Sequence, residues 1–426
     1  MWGPLRTLWN IALGAGVGAH GLLDRLGTGR WRTDLQTRSG RVAVPQDLTQ
    51  PRILVHGVSL GEVNGLAPLV RELAASEVGP NVIVSSATET GYARAQALYS
   101  ADHTVVRFPL DFTWMTSRFL DAVAPELVVL AELELWPGFV GACRRREIPL
   151  CIVSGRFSPA GFKRYTRVRP LITPAFKALS LVGAQSERAR DQFIELGTDP
   201  ARTVVTGSLK WDAVSAPENP GDEGTAAEDI GRTLGIDPEK PLVVAGSTGP
   251  GEEAMLIRSR PPGIQLLLAP RKPERWDEVA RLQPAMPRRS ATPESQMDPT
   301  QRHEVFLLDT IGELKDAYRI ADAVFVGRSL VELGGSNPLE AVALGKPTVM
   351  GPHYANFEGI VSELVEAGGL AVSTDPWAEI TRWLASPEAK AQVAQAGLAA
   401  VSKHRGTAAR TAGLVLAQLS GTHKPG

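Results

Sequence analysis

The stretch Arg52–Glu62, Arg-Ile-Leu-Val-His-Gly-Val-Ser-Leu-Gly-Glu, decides the fold class. An apolar run from Ile53 to Val58 is broken at Gly61, and helical spacing of apolar residues follows from Val63 to Leu73. A short buried strand that turns into a helix is the repeating unit of α/β proteins. The stretch therefore predicts a strand–turn–helix unit with a carboxylate, Glu62, at the start of the helix.

Similar units recur in two groups along the chain. Apolar runs bounded by polar, glycine or proline residues predict further strands at Val82 to Ser85, Val105 to Phe108, Leu127 to Leu130, Leu150 to Val153, Leu242 to Ala245, Ile264 to Ala269, Val305 to Leu308, Ala323 to Val326 and Thr348 to Met350. An acidic stretch with prolines and glycines separates the groups between Asp212 and Pro241. Continuous apolar strands that alternate with helices favour parallel sheets covered on both faces. We therefore predict two α/β units joined by a linker, with ligands beyond the carboxyl ends of the strands.

The composition argues against several functional classes. The chain has 426 residues, which favours two or three domains, and its formal net charge of −1 argues against a nucleic-acid partner. The two cysteines, Cys143 and Cys151, fit no disulfide framework or metal spacing and favour a reducing compartment. The histidines form no metal motif, and no Asp-x-Asp sequence is present.

The N-terminal segment has an unusual charge pattern. Residues Thr7 to Leu23 include no Lys, Arg, Asp or Glu. Arginines follow at Arg25, Arg30, Arg32, Arg38 and Arg41. The run is near the short limit for crossing a bilayer, and no cleavage pattern of a signal peptide ends it. Two interpretations stay open: a helix of the first domain, or a membrane-surface or short anchor helix whose arginines face anionic head groups.

Acidic residues follow two of the predicted strands in the first unit. Glu62 lies in a first helical turn, where a carboxylate can cap the helix or face a ligand. Glu132 and Glu134 directly follow the strand Leu127 to Leu130, and they point the same way if that strand continues. Acids that close a buried strand are costly unless they meet a partner or a ligand. The pattern favours a functional site, with a structural ion pair as the alternative.

Three turns of the second unit carry glycine or charged residues. Gly246–Glu253 joins a strand to a helix in a geometry compatible with phosphate binding. Arg271 follows another strand and suits a phosphate or a carboxylate. Gly334–Glu340 joins a glycine turn to a helix, so Glu340 can accept hydrogen bonds from ribose hydroxyls. Each motif is weak alone, but three on one sheet edge indicate a nucleotide site.

Taken together, these motifs resemble the bacterial 3-deoxy-D-manno-octulosonic acid (Kdo) transferases, the lipid IVA Kdo transferase family. The resemblance runs from about Arg52 to beyond Phe357. The matching motifs, in the family's order, are His56–Glu62, Glu132–Pro137, Thr206–Asp212, Ala269–Arg271, Asp309–Leu314, Asn337–Glu340 and Gly351–His353. The resemblance implies an inverting glycosyltransferase that moves Kdo from CMP-Kdo to the lipid A precursor lipid IVA in lipopolysaccharide core biosynthesis.

The resemblance also implies an architecture and a location. The expected fold is GT-B, an α/β class in which two Rossmann-like domains face each other across a cleft, here preceded by a short N-terminal helix. The expected segments are a membrane-associated helix and basic segment at 1–45, an acceptor-binding domain at 46–212, a linker at 213–240 and a CMP-sugar-binding domain at 241–426. The expected location is the cytoplasmic face of the inner membrane, with no nucleic-acid partner and no metal or other cofactor.

Individual residues receive roles from the resemblance. Glu62 is expected to be the general base, and Glu132 and Lys210 are expected to stabilise the transition state. The expected CMP-binding residues are Pro270, Arg271, Ile311, Gly312, Glu313, Asn337, Pro338, Leu339 and Glu340.

The chain departs from the family pattern at several positions. Gly249-Pro250 stands where the family commonly has His after Gly-Ser-Thr, Ser336 replaces a usual His, and Arg328 replaces a Gly. Ser154-Gly155 replaces Asn-Ala. Two histidines near the expected donor site are therefore missing, whereas every expected catalytic residue is present.

Two other interpretations stay open at this point. Another GT-B enzyme, such as a UDP-sugar transferase or epimerase, would share the fold, and binding of UDP rather than CMP would identify it. A catalytically silent protein that binds a lipid surface could also keep the fold. The joint presence of Glu62, Glu132 and Lys210 argues against the silent protein.

Overall fold

The strands and helices predicted from the sequence form two separate α/β units. The structure is a computed structural model, and it describes residues 37–45, 49–214, 225–283, 285–291 and 303–420. One unit contains the described residues up to Ala213 together with those from Gly406 onward, and the other spans Val214 to Arg405. The predicted N-terminal helix and residues 215–224 of the predicted linker lie outside the described residues. The rest of that linker, from residue 225 to 240, is part of the second unit and contains a helix, so the prediction of a linker up to 240 is wrong there.

The first unit is built on a seven-stranded parallel sheet with the order β3-β2-β1-β4-β5-β6-β7. Its strands are β1 (Arg52–His56), β2 (Asn81–Ser86), β3 (Thr104–Arg107), β4 (Leu127–Ala131), β5 (Leu150–Gly155), β6 (Leu181–Ala184) and β7 (Thr203–Val205). The predicted strands of this unit are confirmed, and β6 and β7 are additional. The strand order reverses between β1 and β4, which is where ligands of such sheets bind.

Helices follow the strands of this sheet and bury both of its faces. They are α1 (Leu60–Ala74), α2 (Glu89–Tyr99), α3 (Thr113–Val123), α4 (Pro137–Arg145), α5 (Pro159–Arg167), α6 (Arg169–Phe176), α7 (Glu187–Leu196) and α8 (Lys210–Ala213). Successive residues of β1 enter different cores: Leu54 packs in one apolar cluster, and Ile53 and Val55 pack in another. This alternation is the period of a strand covered on both sides.

The second unit has a six-stranded parallel sheet with the order β10-β9-β8-β11-β12-β13. Its strands are β8 (Leu242–Thr248), β9 (Gln265–Pro270), β10 (Val305–Leu307), β11 (Ala323–Val326), β12 (Thr348–Met350) and β13 (Ala371–Val372). Its α-helices are α9 (Thr225–Leu234), α10 (Glu252–Ser259), α11 (Trp276–Ala280), α12 (Leu314–Ile320), α13 (Leu339–Ala343), α14 (Glu358–Glu366), α15 (Pro376–Ala385) and α16 (Pro387–Lys403). The strand order reverses between β8 and β11, and the predicted strands are again confirmed.

The last helix, α17 (Thr407–Ser420), belongs to the first unit. The predicted second domain ran to residue 426, so the structure differs from the prediction here. An apolar stripe at Ala408, Ala412 and Val415 is buried in the core that also contains residues of α1. The Asp212 carboxylate accepts hydrogen bonds from the N–H groups of Gly406 at 3.1 Å and Ala408 at 2.6 Å. Burial of the stripe and capping of the helix start tie α17 to the first unit.

Candidate active site

The predicted catalytic residues come from turns at the carboxyl edge of the first sheet. Glu62 is in the first turn of α1, directly after β1, and Glu132 directly follows β4. Lys210 begins α8, after β7. β1 and β4 are paired neighbours where the strand order reverses. The fold therefore brings groups that are distant in sequence to one edge of the sheet.

Glu62 caps a helix and also faces a cavity. Ser59 is the N-cap residue of α1: its Oγ accepts a hydrogen bond from the Glu62 N–H at 3.4 Å and donates one to Glu62 Oε1 at 2.7 Å. The Val58 N–H donates to Glu62 Oε2 at 3.0 Å. This reciprocal pattern is that of a capping box. The interpretation of Glu62 as a helix-capping residue is therefore confirmed. Burial raises the pKa of Glu62 and outweighs these hydrogen bonds, which lower it. The negative charge of Glu132 raises the pKa further.

Glu132 is held between two cations. Lys210 Nζ donates to Glu132 Oε1 at 2.9 Å, and Arg156 Nε donates to Glu132 Oε2 at 2.9 Å. Burial alone would raise the pKa of Glu132, but the Lys210 and Arg156 charges outweigh burial and bring the pKa below its ordinary value. Glu132 is therefore ionised at neutral pH, and its carboxylate fixes the positions of both cations. The structural ion pair considered as an alternative is present.

Glu62, Glu132 and Lys210 line the same small cavity. Ser154, which also lines it, accepts a hydrogen bond on its Oγ from the Leu209 N–H at 3.0 Å. That contact anchors the turn immediately before Lys210. The three residues predicted to be catalytic are thus clustered, with a carboxylate of raised pKa beside a fixed ammonium group.

Glu134 is a third carboxyl group of this cluster, which sequence reasoning left out of the catalytic set. β4 does not continue through the two acids, because it ends at Ala131 and Glu132 has a φ of 52°. Glu134 nevertheless lies close enough to Glu62 for that charge to act on it. Burial, reinforced by Glu62, raises the pKa of Glu134 to about 7, although Trp136 Nε1 donates a hydrogen bond to its carboxylate at 2.9 Å. Such a group can exchange a proton near neutral pH.

The predicted nucleotide residues of the second unit share a sheet edge. Pro270 ends β9, and the exposed Arg271 follows, with its N–H donating to Thr248 O at 3.0 Å. The buried phenol of Tyr318 lies near both Arg271 and Glu340. Burial raises the pKa of Tyr318, the charge of Glu340 adds to the rise, and Arg271 opposes it. The structure therefore brings Arg271 and Glu340 near the same buried ring.

The segment Ile311–Glu313 divides into an exposed part and an internally bonded part. The Ile311 side chain is 81% exposed, which is unusual for its size, and Gly312 follows with a φ of 98°. Glu313 accepts hydrogen bonds from Arg289, with Nη2 at 2.6 Å, and from the Thr310 hydroxyl. The Arg289 contact lowers the pKa of Glu313. Ile311 thus exposes an apolar surface, whereas the Glu313 carboxylate is held by Arg289 and Thr310.

Asn337–Glu340 follows two consecutive glycines of positive φ. Gly334 and Gly335 have φ values of 78° and 76°, which only glycine adopts without strain. Asn337 Oδ1 accepts a hydrogen bond from the Leu339 N–H at 3.2 Å, at the start of α13. Pro338 and Leu339 are buried, and Glu340 is half-buried in the first turn of the helix. The predicted acid thus lies at a helix start on the same unit as Arg271.

Glu252 is an organising residue that sequence reasoning did not single out. It is fully buried in the first turn of α10. Its Oε2 accepts hydrogen bonds from the N–H groups of Gly249 at 2.7 Å and Arg328 at 2.5 Å. Its Oε1 accepts from Ser329 and Leu330, both at 2.8 Å. One carboxylate therefore joins the loops that follow β8 and β11.

The chain is similar in sequence to known glycosyltransferases over most of its length. A family model described as 3-deoxy-D-manno-octulosonic-acid transferase (kdotransferase) matches residues 30–213. A 3-deoxy-D-manno-octulosonic acid transferase of Haemophilus influenzae is 31% identical over 391 residues, which cover 89% of this chain and 90% of that protein. The chain belongs to this Kdo transferase family. A family member from Bordetella pertussis is 33% identical over 408 residues, covering 90% of this chain and 91% of that protein.

Membership of the Kdo transferase family confirms the resemblance seen in the motifs and makes the protein a glycosyltransferase. The solved UDP-GlcNAc 2-epimerase from Neisseria meningitidis, bound to UDP-GlcNAc, matches 86% of this chain and 100% of its own with a TM-score of 0.59 and 13% identity. At that identity the likeness shows the fold alone. It confirms the predicted GT-B class with two Rossmann-like domains, and the cleft between them stays a prediction.

Within the described ranges, no helix combines the length and the apolar composition needed to cross a membrane. The same ranges contain no group of three or more His, Cys, Asp or Glu side chains that could hold a metal ion. The uncharged segment Thr7 to Leu23 lies outside these ranges, so its membrane association stays a prediction.

Proposed function

We propose that this Kdo transferase moves Kdo from CMP-Kdo to a hydroxyl of a lipid A precursor, with inversion at the anomeric carbon. The acceptor oxygen forms a bond to that carbon. The bond between the same carbon and the phosphate oxygen of CMP breaks, and CMP leaves with the electron pair. The clustering of Glu62, Glu132 and Lys210 in one cavity of the first unit carries this proposal.

Glu62 is the base in this scheme. A sugar hydroxyl is a poor nucleophile at neutral pH, so a carboxylate must take its proton as the new bond forms. Burial makes the Glu62 carboxylate more basic than an exposed one, while Ser59 and Val58 hold its orientation. The acceptor would therefore bind on the side of the first unit that carries Glu62.

Lys210 supplies positive charge in this scheme. Negative charge grows on the departing phosphate, and the sugar has a carboxylate of its own. The ammonium group is fixed by Glu132, which in turn accepts a hydrogen bond from Arg156. A charge that is held in position before the reaction stabilises the transition state without reorganisation at the moment of transfer. Glu132 thus acts by orienting two cations.

The second unit would hold the CMP group. Arg271 is exposed and suits a phosphate, Glu340 suits the ribose hydroxyls, and Ile311 offers an exposed apolar surface to the base. The Glu313 carboxylate accepts hydrogen bonds from Arg289 and Thr310, so it would order the loop that faces the nucleotide. Gly312, Asn337, Pro338 and Leu339 would shape the turns around the nucleotide.

The lipid acceptor requires access to a membrane surface. Residues Thr7 to Leu23 are uncharged and arginines follow them, a pattern suited to an interface with anionic head groups. The enzyme would therefore work at the cytoplasmic face of the inner membrane, where nucleotide sugars are available.

Transfer can be tested directly by incubating the full chain with CMP-Kdo and the tetraacyl lipid A precursor and weighing the lipid product. A mass gain of one or more Kdo residues with equal release of CMP is expected. A matched reaction with a UDP-sugar serves as the control. Transfer from the UDP-sugar, or no transfer at all, would contradict the proposal.

We also propose that transfer needs no metal ion. The chain has no Asp-x-Asp sequence, and Lys210 with Arg156 supplies cationic charge at the site. Full activity is therefore expected in excess EDTA. A loss of turnover in EDTA that added Mg²⁺ restores would overturn this part of the proposal.

A further inference from the structure

Arg328 has a backbone conformation that does not suit an arginine. It follows β11 at the carboxyl edge of the second sheet, next to the point where the strand order reverses. Its φ is 60°, in the left-handed region that glycine occupies without strain. A residue kept in a disfavoured conformation requires a reason other than local backbone preference.

The backbone of Arg328 makes most of the contacts that hold this loop. Its backbone N–H donates to Glu252 Oε2 at 2.5 Å, and its carbonyl oxygen accepts from the Gly335 N–H at 2.8 Å. The next residue, Ser329, donates its N–H to the same Glu252 carboxylate at 2.8 Å. These bonds use only backbone groups of residues 328 and 329, so a glycine at position 328 could make the same contacts.

The guanidinium group has unused hydrogen-bonding capacity. Nη2 donates to Leu333 O at 3.1 Å, and the buried Nε has no hydrogen-bond partner among the described residues. The nearby Glu252 carboxylate cannot serve, because it already accepts from backbone N–H groups on both oxygens. No carboxylate in the described part of the chain forms an ion pair with Arg328. The Arg328 guanidinium therefore has no ion-pair partner among the described residues of this sheet edge.

The arginine occupies the space that a side chain at position 249 would use. A Cβ built on Gly249 would lie 3.2 Å from Arg328 Cγ and 2.8 Å from Leu333 Cδ1. The side chains of Leu333 and Arg328 therefore fill the space beside Gly249.

We infer that Arg328 binds an anionic group of the sugar-nucleotide donor, through the paired oxygens of its carboxylate or its phosphate. This inference rests on the proposed function. A guanidinium fork matches either oxygen pair and stays charged at every working pH. Its position after β11, next to the point where the strand order reverses, is where ligands of such sheets bind.

The inference is tested by kinetics of Arg328→Gly and Arg328→Gln with CMP-Kdo, together with calorimetric titration of CMP alone. Loss of a hydrogen bond to a charged group typically weakens binding about 10- to 100-fold, so KM for CMP-Kdo should rise by that factor. If the phosphate is the partner, CMP affinity falls in parallel. If the sugar carboxylate is the partner, CMP affinity is unchanged. Arg281→Gln, which removes an exposed arginine of the same unit, is the matched control and should change neither.

Stability and rescue distinguish binding from a structural role. Arg328→Gly should keep or raise Tm, because glycine suits a φ of 60°. Arg328→Lys keeps the charge but loses the guanidinium fork, so it should recover part of the donor affinity that Arg328→Gly loses. An unchanged KM in Arg328→Gly, with normal transfer by the wild type, would overturn the inference while leaving the proposed function intact. Absence of transfer by the wild type would refute both.

Discussion

Replacement of Glu62 by glutamine separates its catalytic role from its capping role. Glu62→Gln keeps the shape of the side chain and one oxygen acceptor, but it removes the basic carboxylate. Loss of a general base lowers a rate about 10²- to 10⁴-fold, which corresponds to about 2.7–5.5 kcal/mol at about 1.36 kcal/mol per tenfold. The single-turnover rate of Kdo transfer should fall within that range. CMP affinity should stay near that of the wild type, because the residues proposed to bind the nucleotide lie on the other unit.

The same substitution should not weaken the fold. Burial outweighs the hydrogen bonds from Ser59 and Val58, so the pKa of Glu62 is higher in the folded state than in the unfolded state. A carboxyl group with a raised pKa costs stability as the pH rises from its unfolded pKa through its folded pKa. Glu62→Gln removes that cost. Its Tm at pH 8 is therefore expected to equal or exceed the wild-type Tm.

Ser186→Ala provides the matched control for a lost helix cap. Ser186 Oγ accepts a hydrogen bond from the Ala189 N–H at 3.2 Å at the start of α7, away from the Glu62 cluster. Its loss should cost about 1 kcal/mol, or about 2–4 °C in Tm, with turnover per folded molecule retained. If Glu62→Gln instead resembles Ser186→Ala, with a lower Tm and near-normal single-turnover rate, Glu62 is only a cap and the mechanism is wrong.

The other predictions concern Glu134, Glu340 and the N-terminal segment. Glu134 has a folded pKa of about 7 against an ordinary 4.5, so the wild type should lose stability between those pH values. Glu134→Gln should flatten the curve of Tm against pH in that range. An unchanged slope in the variant would contradict the raised pKa of Glu134. Glu340→Ala should weaken CMP binding about 10- to 100-fold, because a charge-assisted hydrogen bond is lost. An unchanged affinity in a titration with CMP would refute this prediction. A chain that begins at Thr37 keeps Arg38, whose Nε donates to Phe108 O at 3.0 Å, and should stay folded and active on detergent-dispersed acceptor. Its unfolding would show that the missing segment is part of the core.

The sequence was sufficient to predict elements whose signal is local. Apolar runs such as Leu127 to Leu130 are bounded by clear turn residues, and each became a strand within three residues of its predicted ends. The short strand β13 was missed because Ala371–Val372 is too short for an apolar run to stand out. The candidate catalytic residues were found through family motifs, because no local rule connects Glu132 with Lys210 across 78 positions.

Other features depend on contacts that a sequence pattern does not specify. The spacing of Ala408, Ala412 and Val415 predicts one apolar helix face, but it does not say which unit that face covers. The pKa of Glu134 depends on burial and on the Glu62 charge, and both follow from the fold. Sequence spacing alone is therefore informative about which elements form, and less so about the charges that surround a site.

The buried pair Glu252–Glu253 explains how the second unit tolerates unusual residues in its loops. Glu253 accepts hydrogen bonds from Arg275 at 2.7 and 3.1 Å and from the Thr248 hydroxyl at 2.7 Å, so a cation compensates its charge. Glu252 is compensated by backbone N–H groups from the loops after β8 and β11. Those bonds fix the backbone whatever side chain stands at position 328. The turn after β11 can therefore carry an arginine with a φ of 60° and keep its bonds to Glu252.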